Sequence, residues 1–277
     1  MSSLKHIEFV AGGRRWCADL SRPLNIAIAL AFDGAQPSFY GAQPATAVPL
    51  HSGSFVGDVL KGGSCRCSTY TLTPHCNGTH TESVGHVVHE PVSIHATASE
   101  AFLVARVVSV APSAVEEGTA EPAVPGDRII TAAQLQSALK SDATVGCRAL
   151  VVRTLPNAAD KTTRTYALDA GMPPYFSTDA LRWIVAQGVD HLVVDLPSID
   201  RAVDGGLLRG HRIFWGLPEG STQLAHATRP HATITELAYI DNAIADGPYL
   251  LNLQVPAFES DAAPSRPILY PIEPATS

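Results

Sequence analysis

Four residues able to bind a metal ion or carry a proton, His75, His80, Glu82 and His86, fall between positions 75 and 86 of the chain. Imidazole nitrogen and carboxylate oxygen are the commonest zinc donors, and together they also suit manganese. If 79–82 is extended, His80 and Glu82 lie two residues apart and project to one face, offering an N,O pair. Asn77-Gly78 is a turn signal that folds His75 back toward His80. Imidazole also titrates near neutrality, which suits it to general acid/base work. The pattern therefore predicts a metal site rather than a histidine-rich surface loop.

Such residues need rigid elements beneath them. The stretch 68–72 reads as a strand that ends just before the cluster. Segments 101–108, 149–154 and 191–195 are apolar runs of strand length between turn residues. Segments 131–139 and 177–187 read as helices, the second with Leu181, Ile184 and Val185 on one face and Gly188 as its stop. The order strand, helix, strand from 150 to 195 implies a crossover unit, hence some parallel sheet and an α/β fold. Residues 112–126 and 217–221 suit exposed loops, and the proline-rich stretch 264–274 suits an extended edge or tail.

The chain has 277 residues, 45% hydrophobic and 16% charged, enough apolar material for a sizeable core. One domain over 1–277 is expected. Net charge is −7 with scattered basic residues, which argues against a nucleic-acid partner. No apolar run approaches the roughly 20 residues that span a bilayer and the start lacks a signal-peptide core, so a cytoplasmic protein is expected. Five cysteines form an odd set without a disulfide framework, and Cys65-Arg-Cys67 is too tight for the usual zinc knuckle. Asp195, Ser198 and Asp200 lack a nucleophile elbow and read as structural turn residues. Taken alone, His211 before Ile213-Phe214-Trp215 could equally cap a core, and Glu236 could equally lie on an exposed face.

Several segments share a second feature, their order. Asp19-Leu20-Ser21, Gly78-Thr79-His80-Thr81-Glu82 with His86, Arg153-Thr154, Gly188 to Asp200, His211 to Gly216 and Ile234 to Asp241 follow one another as in a known family. The sequence resembles the cyclase and arylformamidase family, or kynurenine formamidase-like metal hydrolases, whose signature is H-x-G-T-H-x-D-x-P-x-H. The likeness covers about residues 17 to 255. Three departures stand out: Glu82 replaces the family's Asp, Val84 its Pro, and one extra residue precedes the Gly-Thr-His core. The first ligand is therefore His75, carried on a bulged turn, or Cys76, since thiolate also binds zinc.

The resemblance implies a swivelling β/β/α domain with a mixed sheet, and one or two Zn2+ or Mn2+ ions. His75, His80 and Glu82 would hold one ion, with Glu82 bridging to a second at His211 and Glu236, and His86 acting in catalysis. It implies a hydrolase of a small amide, formamide or lactam, with the arylformamidase step of tryptophan catabolism as the best-known case. A metal-dependent cyclase or lyase, or an inactive metal-binding protein, stays open as an alternative. Family members form homo-oligomers, so a dimer or tetramer is expected, with Trp16, Phe39 and Tyr40 able to reach a neighbour. The link between Gly216 and Thr233 is longer than the family's, and its His226 and His231 are expected on a surface loop.

Overall fold

The computed structural model describes residues 4–115, 124–139, 147–167 and 171–275. Ten strands of its main sheet are labelled in chain order: β1 (His6–Ala11), β2 (Arg14–Asp19), β3 (His80–Glu82), β4 (Phe102–Val110), β5 (Ala149–Thr154), β6 (His191–Val194), β7 (Thr233–Glu236), β8 (Gly247–Asn252), β9 (Ala262–Pro264) and β10 (Ile268–Pro274). They lie in the order β1-β2-β10-β8-β4-β5-β6-β7-β3-β9, and Leu24–Asn25 adds an eleventh strand beside β10. β4, β5, β6 and β7 run parallel, whereas β3 and β9 continue the sheet antiparallel beyond β7. The sheet is thus mixed, as the resemblance implies, and its parallel part follows the crossover order.

The apolar runs of the parallel strands are near-continuous because both faces of the sheet are covered. Val108, Val110, Leu150, Val152, Leu192, Val194 and Ile234 belong to one core cluster. Their alternating neighbours Leu103, Ala105, Val107, Ala149, Val151 and Val193 belong to a second. Three helices, α1 (Ala132–Leu139), α2 (Thr178–Ala186) and α3 (Arg209–Trp215), supply the first cluster with Leu135, Leu181, Ile184 and Trp215 among others. α2 starts where Ser177 Oγ accepts from the Ala180 N–H at 3.1 Å and ends before Gly188, whose φ of +75° favours glycine. No helix among the described residues is long and apolar enough to cross a membrane.

Two expectations need correction. Pro264 closes the edge strand β9, but the remainder of 264–274 is neither edge nor tail, since β10 lies inside the sheet between β2 and β8. Its prolines are tolerated because the strand is half-paired at each: Pro271 faces only Tyr249 of β8, and Pro274 only Trp16 of β2. Phe39, grouped with residues that could reach a neighbour, instead packs in this chain with Tyr166, Ala202 and Leu237. Within 112–126, Ser113–Ala114 form a short strand, and 116–123 lie outside the described residues. Thr46–Pro49 and Ser68–Thr71 pair in a separate two-stranded sheet that leads into the histidine segment.

Candidate metal centre

β3 carries His80 and Glu82 between two partners, β7 and β9, so all three of its residues are buried. The period of two puts His80 and Glu82 on one face, while Thr81 turns the other way to meet Thr235 Oγ1 at 2.7 Å. In register, Glu236 stands opposite His80, which brings the distal carboxylate beside the motif. The chain leaves Glu236 through Leu237, a buried residue held at φ +53°, a strained conformation of the kind that clusters at functional sites. His75 returns from a turn at 74–76 closed by the Cys76 and Asn77 N–H groups on the Thr73 carbonyl. Its ring centroid comes 5.2 Å from that of His80 and 4.3 Å from that of His86, so the turn absorbs the extra residue.

His211 comes from α3. A Cβ on its neighbour Gly210 would meet Asp200 Oδ1 at 2.7 Å and Leu181 Cδ1 at 2.6 Å, so a larger residue would displace these side chains. The cleared space admits the Asp200 carboxylate, which accepts from Gly210 N at 2.6 Å, His211 N at 3.1 Å and the His211 ring at 2.6 Å. His86 ends one turn of 3-10 helix, Val84–His86, whose start is capped by Ser83 Oγ.

Each of three imidazoles has one nitrogen engaged outward. His211 Nδ1 contacts Asp200, His80 Nδ1 donates to the Gly78 carbonyl at 3.0 Å, and His75 Nε2 contacts Asp261 Oδ2 at 2.9 Å. The remaining nitrogens turn inward. His75 Nδ1 lies 3.0 Å from Glu82 Oε2, and His211 Nε2 lies 2.9 Å from Glu82 Oε1. His80 Nε2 and both Glu82 oxygens are nevertheless buried with no directed hydrogen bond. Nitrogen and oxygen this close without a directed hydrogen bond between them form an arrangement that a shared cation would satisfy. Unpaired buried polar atoms otherwise cost about 1–3 kcal/mol each.

Two overlapping triads result, His75, Glu82 and His86, and Glu82, His211 and Glu236, each with ligand atoms within 4.8 Å of one another. Glu82 belongs to both. His80 is outside both triads, with Nε2 3.7 Å from Glu236 Oε2. Cys76 is in neither, and burial pushes its thiol up, away from thiolate.

The charges fit a cation site held together by protons. Burial raises Glu82, yet the charges of His86 and His211 outweigh it and hold the carboxyl well below its usual range. Burial opposes protonation of His75, but Asp261 and Glu82 lift it to about 10, and Glu82 and Asp200 likewise lift His211 well above its ordinary value. Burial, with the charge of His75, pushes His80 down to about 4, leaving it neutral and able to ligate. Burial and the Glu82 charge push Glu236 up to about 8. Three imidazoles and two carboxylates converging here match the donor preferences of zinc or manganese.

Sequence reading thus reaches every residue of the two triads. It misses the roles of Asp200 and Asp261. Asp200 carries a signal, the Gly-His pair at 210–211 that accommodates its carboxylate. Asp261 carries none, being brought to His75 only by the pairing of β9 with β3, Ala262 against Glu82. His226 and His231 belong to neither triad. His226 meets Ser221 Oγ at 2.8 Å, and His231 meets Asp190 at 3.0 Å at the end of β7 opposite to Glu236.

Comparison with known proteins follows the same direction. The family model for cyclases matches residues 18–201. No curated protein matches the sequence. The fold is similar to the crystal structure of a novel cyclase, with a TM-score of 0.60 at 15% identity over 90% of this chain and 87% of that one. It is similar to a predicted metal-dependent hydrolase from Bacillus stearothermophilus, TM-score 0.56, at 13% identity over 90% of this chain and 98% of the other. It is also similar to isatin hydrolase A from Labrenzia aggregata bound to benzyl benzoate, TM-score 0.57, at 13% identity over 90% and 93% of the two chains.

Proposed function

This chain belongs to the cyclase family, and from that premise we propose that it is a metal-dependent hydrolase opening the carbon–nitrogen bond of a small amide, formamide or lactam. The observation that carries the reading is the inward set of nitrogens around Glu82, with both of that residue's oxygens buried and undirected. His75, His80 and Glu82 would hold one Zn2+ or Mn2+, and His211 and Glu236 a second that shares Glu82. Such an ion, when bound, lowers the pKa of a water toward about 7 and polarises a carbonyl oxygen.

The chain's own residues supply the remainder. Side-chain exposure is 28% at His86 and 26% at His75, against 5% or less at His80, Glu82, His211 and Glu236. A substrate therefore enters past His86, which is placed to pass a proton to the departing amine nitrogen. The residues beyond it are buried, which strengthens every charge interaction on the carbonyl. Asp200 fixes the His211 ring from behind, and the Gly78 carbonyl does the same for His80.

The lactam reading draws support from the isatin hydrolases of similar fold, and the formyl-anilide reading from the arylformamidase signature. The same proposal takes residues 1–277 as one catalytic domain in a homodimer or homotetramer. The test is metal analysis of the purified protein, then chelation, reloading with zinc or manganese, and assay on formyl-anilides, lactams including isatin, and cyclic imides in isotopically labelled water. Hydrolysis restored by reloading, with label in the product, is the expected result. A protein that hydrolyses at full rate without metal, or holds metal and opens none of these substrates, overturns it.

A further inference from the structure

Of all groups around the cluster, Asp261 makes contacts that the mechanism above does not use. Its Oδ2 lies 2.9 Å from His75 Nε2 and 3.4 Å from His86 Nδ1. The segment carrying it is tied to the motif from both sides: its backbone carbonyl accepts from Ser83 N at 2.9 Å and from Ser83 Oγ at 3.1 Å, and Ala262 pairs with Glu82. Gly85 permits the approach, since a Cβ there would come 3.2 Å from Asp261 Cβ and 2.7 Å from the Val92 carbonyl. One carboxylate oxygen is thus shared by a candidate metal ligand and the candidate proton carrier.

We infer that Asp261 is a positioning residue that fixes two rings at once, holding the proton of His75 on Nε2 so that Nδ1 faces the metal, and anchoring His86 by Nδ1 so that its other nitrogen faces the substrate. The inference rests on the metal-hydrolase reading above. A histidine ligand needs its distal N–H engaged to keep one tautomer and one ring orientation, and partners that do this typically contribute about 10–100-fold in metal affinity or activity. Asp200 serves His211 and Gly78 serves His80, each for a single ring. Asp261 contacts both a candidate ligand and the candidate proton carrier through one oxygen, so its loss should reach both functions.

The test compares full-length Asp261→Asn, Asp261→Ala and Asp261→Glu with the natural chain. Zinc affinity is read by competition with a chelating dye, kcat and KM at saturating zinc, and the His75 tautomer by nitrogen NMR of the zinc-loaded protein. Asn and Ala should weaken zinc about 10–100-fold, lower kcat by a similar factor with KM little changed, and mix the His75 tautomers, while Glu recovers part of each. Asp261 is 40% exposed and near-isosteric with Asn, so that variant should keep the natural circular dichroism spectrum. Natural zinc affinity and kcat in both Asn and Ala overturn this inference alone. Failure of the natural chain to hold either zinc or manganese overturns the reading beneath it.

Discussion

Two buried charge networks lie at the ends of neighbouring parallel strands, and they are built on opposite plans. Beside β5 and β6, Lys161 Nζ donates to the Thr154 carbonyl and Thr154 Oγ1, each at 2.8 Å, to Asn157 Oδ1 at 3.2 Å and to Asp195 Oδ2 at 2.7 Å. Asp195 is completed by Thr154 N and Thr154 Oγ1, both at 2.9 Å. Every atom there has a partner. At the end of β7, by contrast, outer nitrogens are engaged while His80 Nε2 and both Glu82 oxygens are left without directed partners. A completed network of buried charge holds a fold in place, whereas one complete outside and unmet inside is prepared for something else. Asp195 and Asp200, five residues apart, fall on opposite sides of that divide.

The sharpest break of the comparison is Glu82→Ala, which removes the residue common to both triads. Metal affinity should fall about 100-fold or more, taking roughly a quarter of a four-ligand site's 10–16 kcal/mol, and hydrolysis should drop to background. Dialysis against zinc followed by elemental analysis checks this, and a variant with natural metal content refutes the shared ligand. His86→Ala comes next, with metal retained and kcat lower by about 10²–10⁴-fold. A stripped metal would instead make His86 a ligand.

Lys161→Met tests the other network and should give the reverse phenotype. Leaving Asp195 buried and unpaired should cost about 3–5 kcal/mol in denaturant unfolding, with metal content and kcat of the folded protein unchanged. Equal stability of variant and natural chain would remove the distinction drawn between the two regions.

A smaller effect is expected at His191, at the far end of β6. Its Nδ1 lies 2.8 Å from Thr233 Oγ1, and burial, with the charge of Arg148, pushes its pKa down to about 4. The folded protein keeps this ring neutral while the unfolded chain takes up a proton near the ordinary value of about 6.5. Stability is therefore full above that value and declines as pH falls from about 6.5 to 4, by on the order of 2–3 kcal/mol. His191→Asn should flatten that part of the pH–stability curve, and an unchanged slope would contradict it. The smallest effect belongs to Cys76→Ser, which should keep the metal that His75→Ala loses. The opposite pair of results would move the first ligand to sulfur.

How much of this is legible in the sequence can be argued from single residues. Leu150 to Val152 and Leu192 to Val194 declare doubly covered strands because burial on both faces demands an unbroken apolar run. His80 and Glu82 declare a shared face because a strand alternates, His75 and His86 declare themselves by clustering beside them, and His211 and Glu236 come through the family likeness. β10 is misread because its prolines suggest an edge, and only strand pairing shows that each is flanked on one side. Asp261 is silent because 186 positions separate it from His75.

The sequence by itself determined the strand, helix, strand order from 150 to 195, the α/β class and the donor types available to a metal, since these depend on local periodicity and on side-chain chemistry. The tertiary structure decided which donors meet, which ring nitrogen faces inward and which carboxylate stands behind each ring. Those choices depend on β3 being clamped between β7 and β9, and on Gly85 and Gly210 leaving room for carboxylates from distant parts of the chain. A hydrogen bond acts over about 3 Å, and only the packed sheet sets distances that short between residues far apart in sequence.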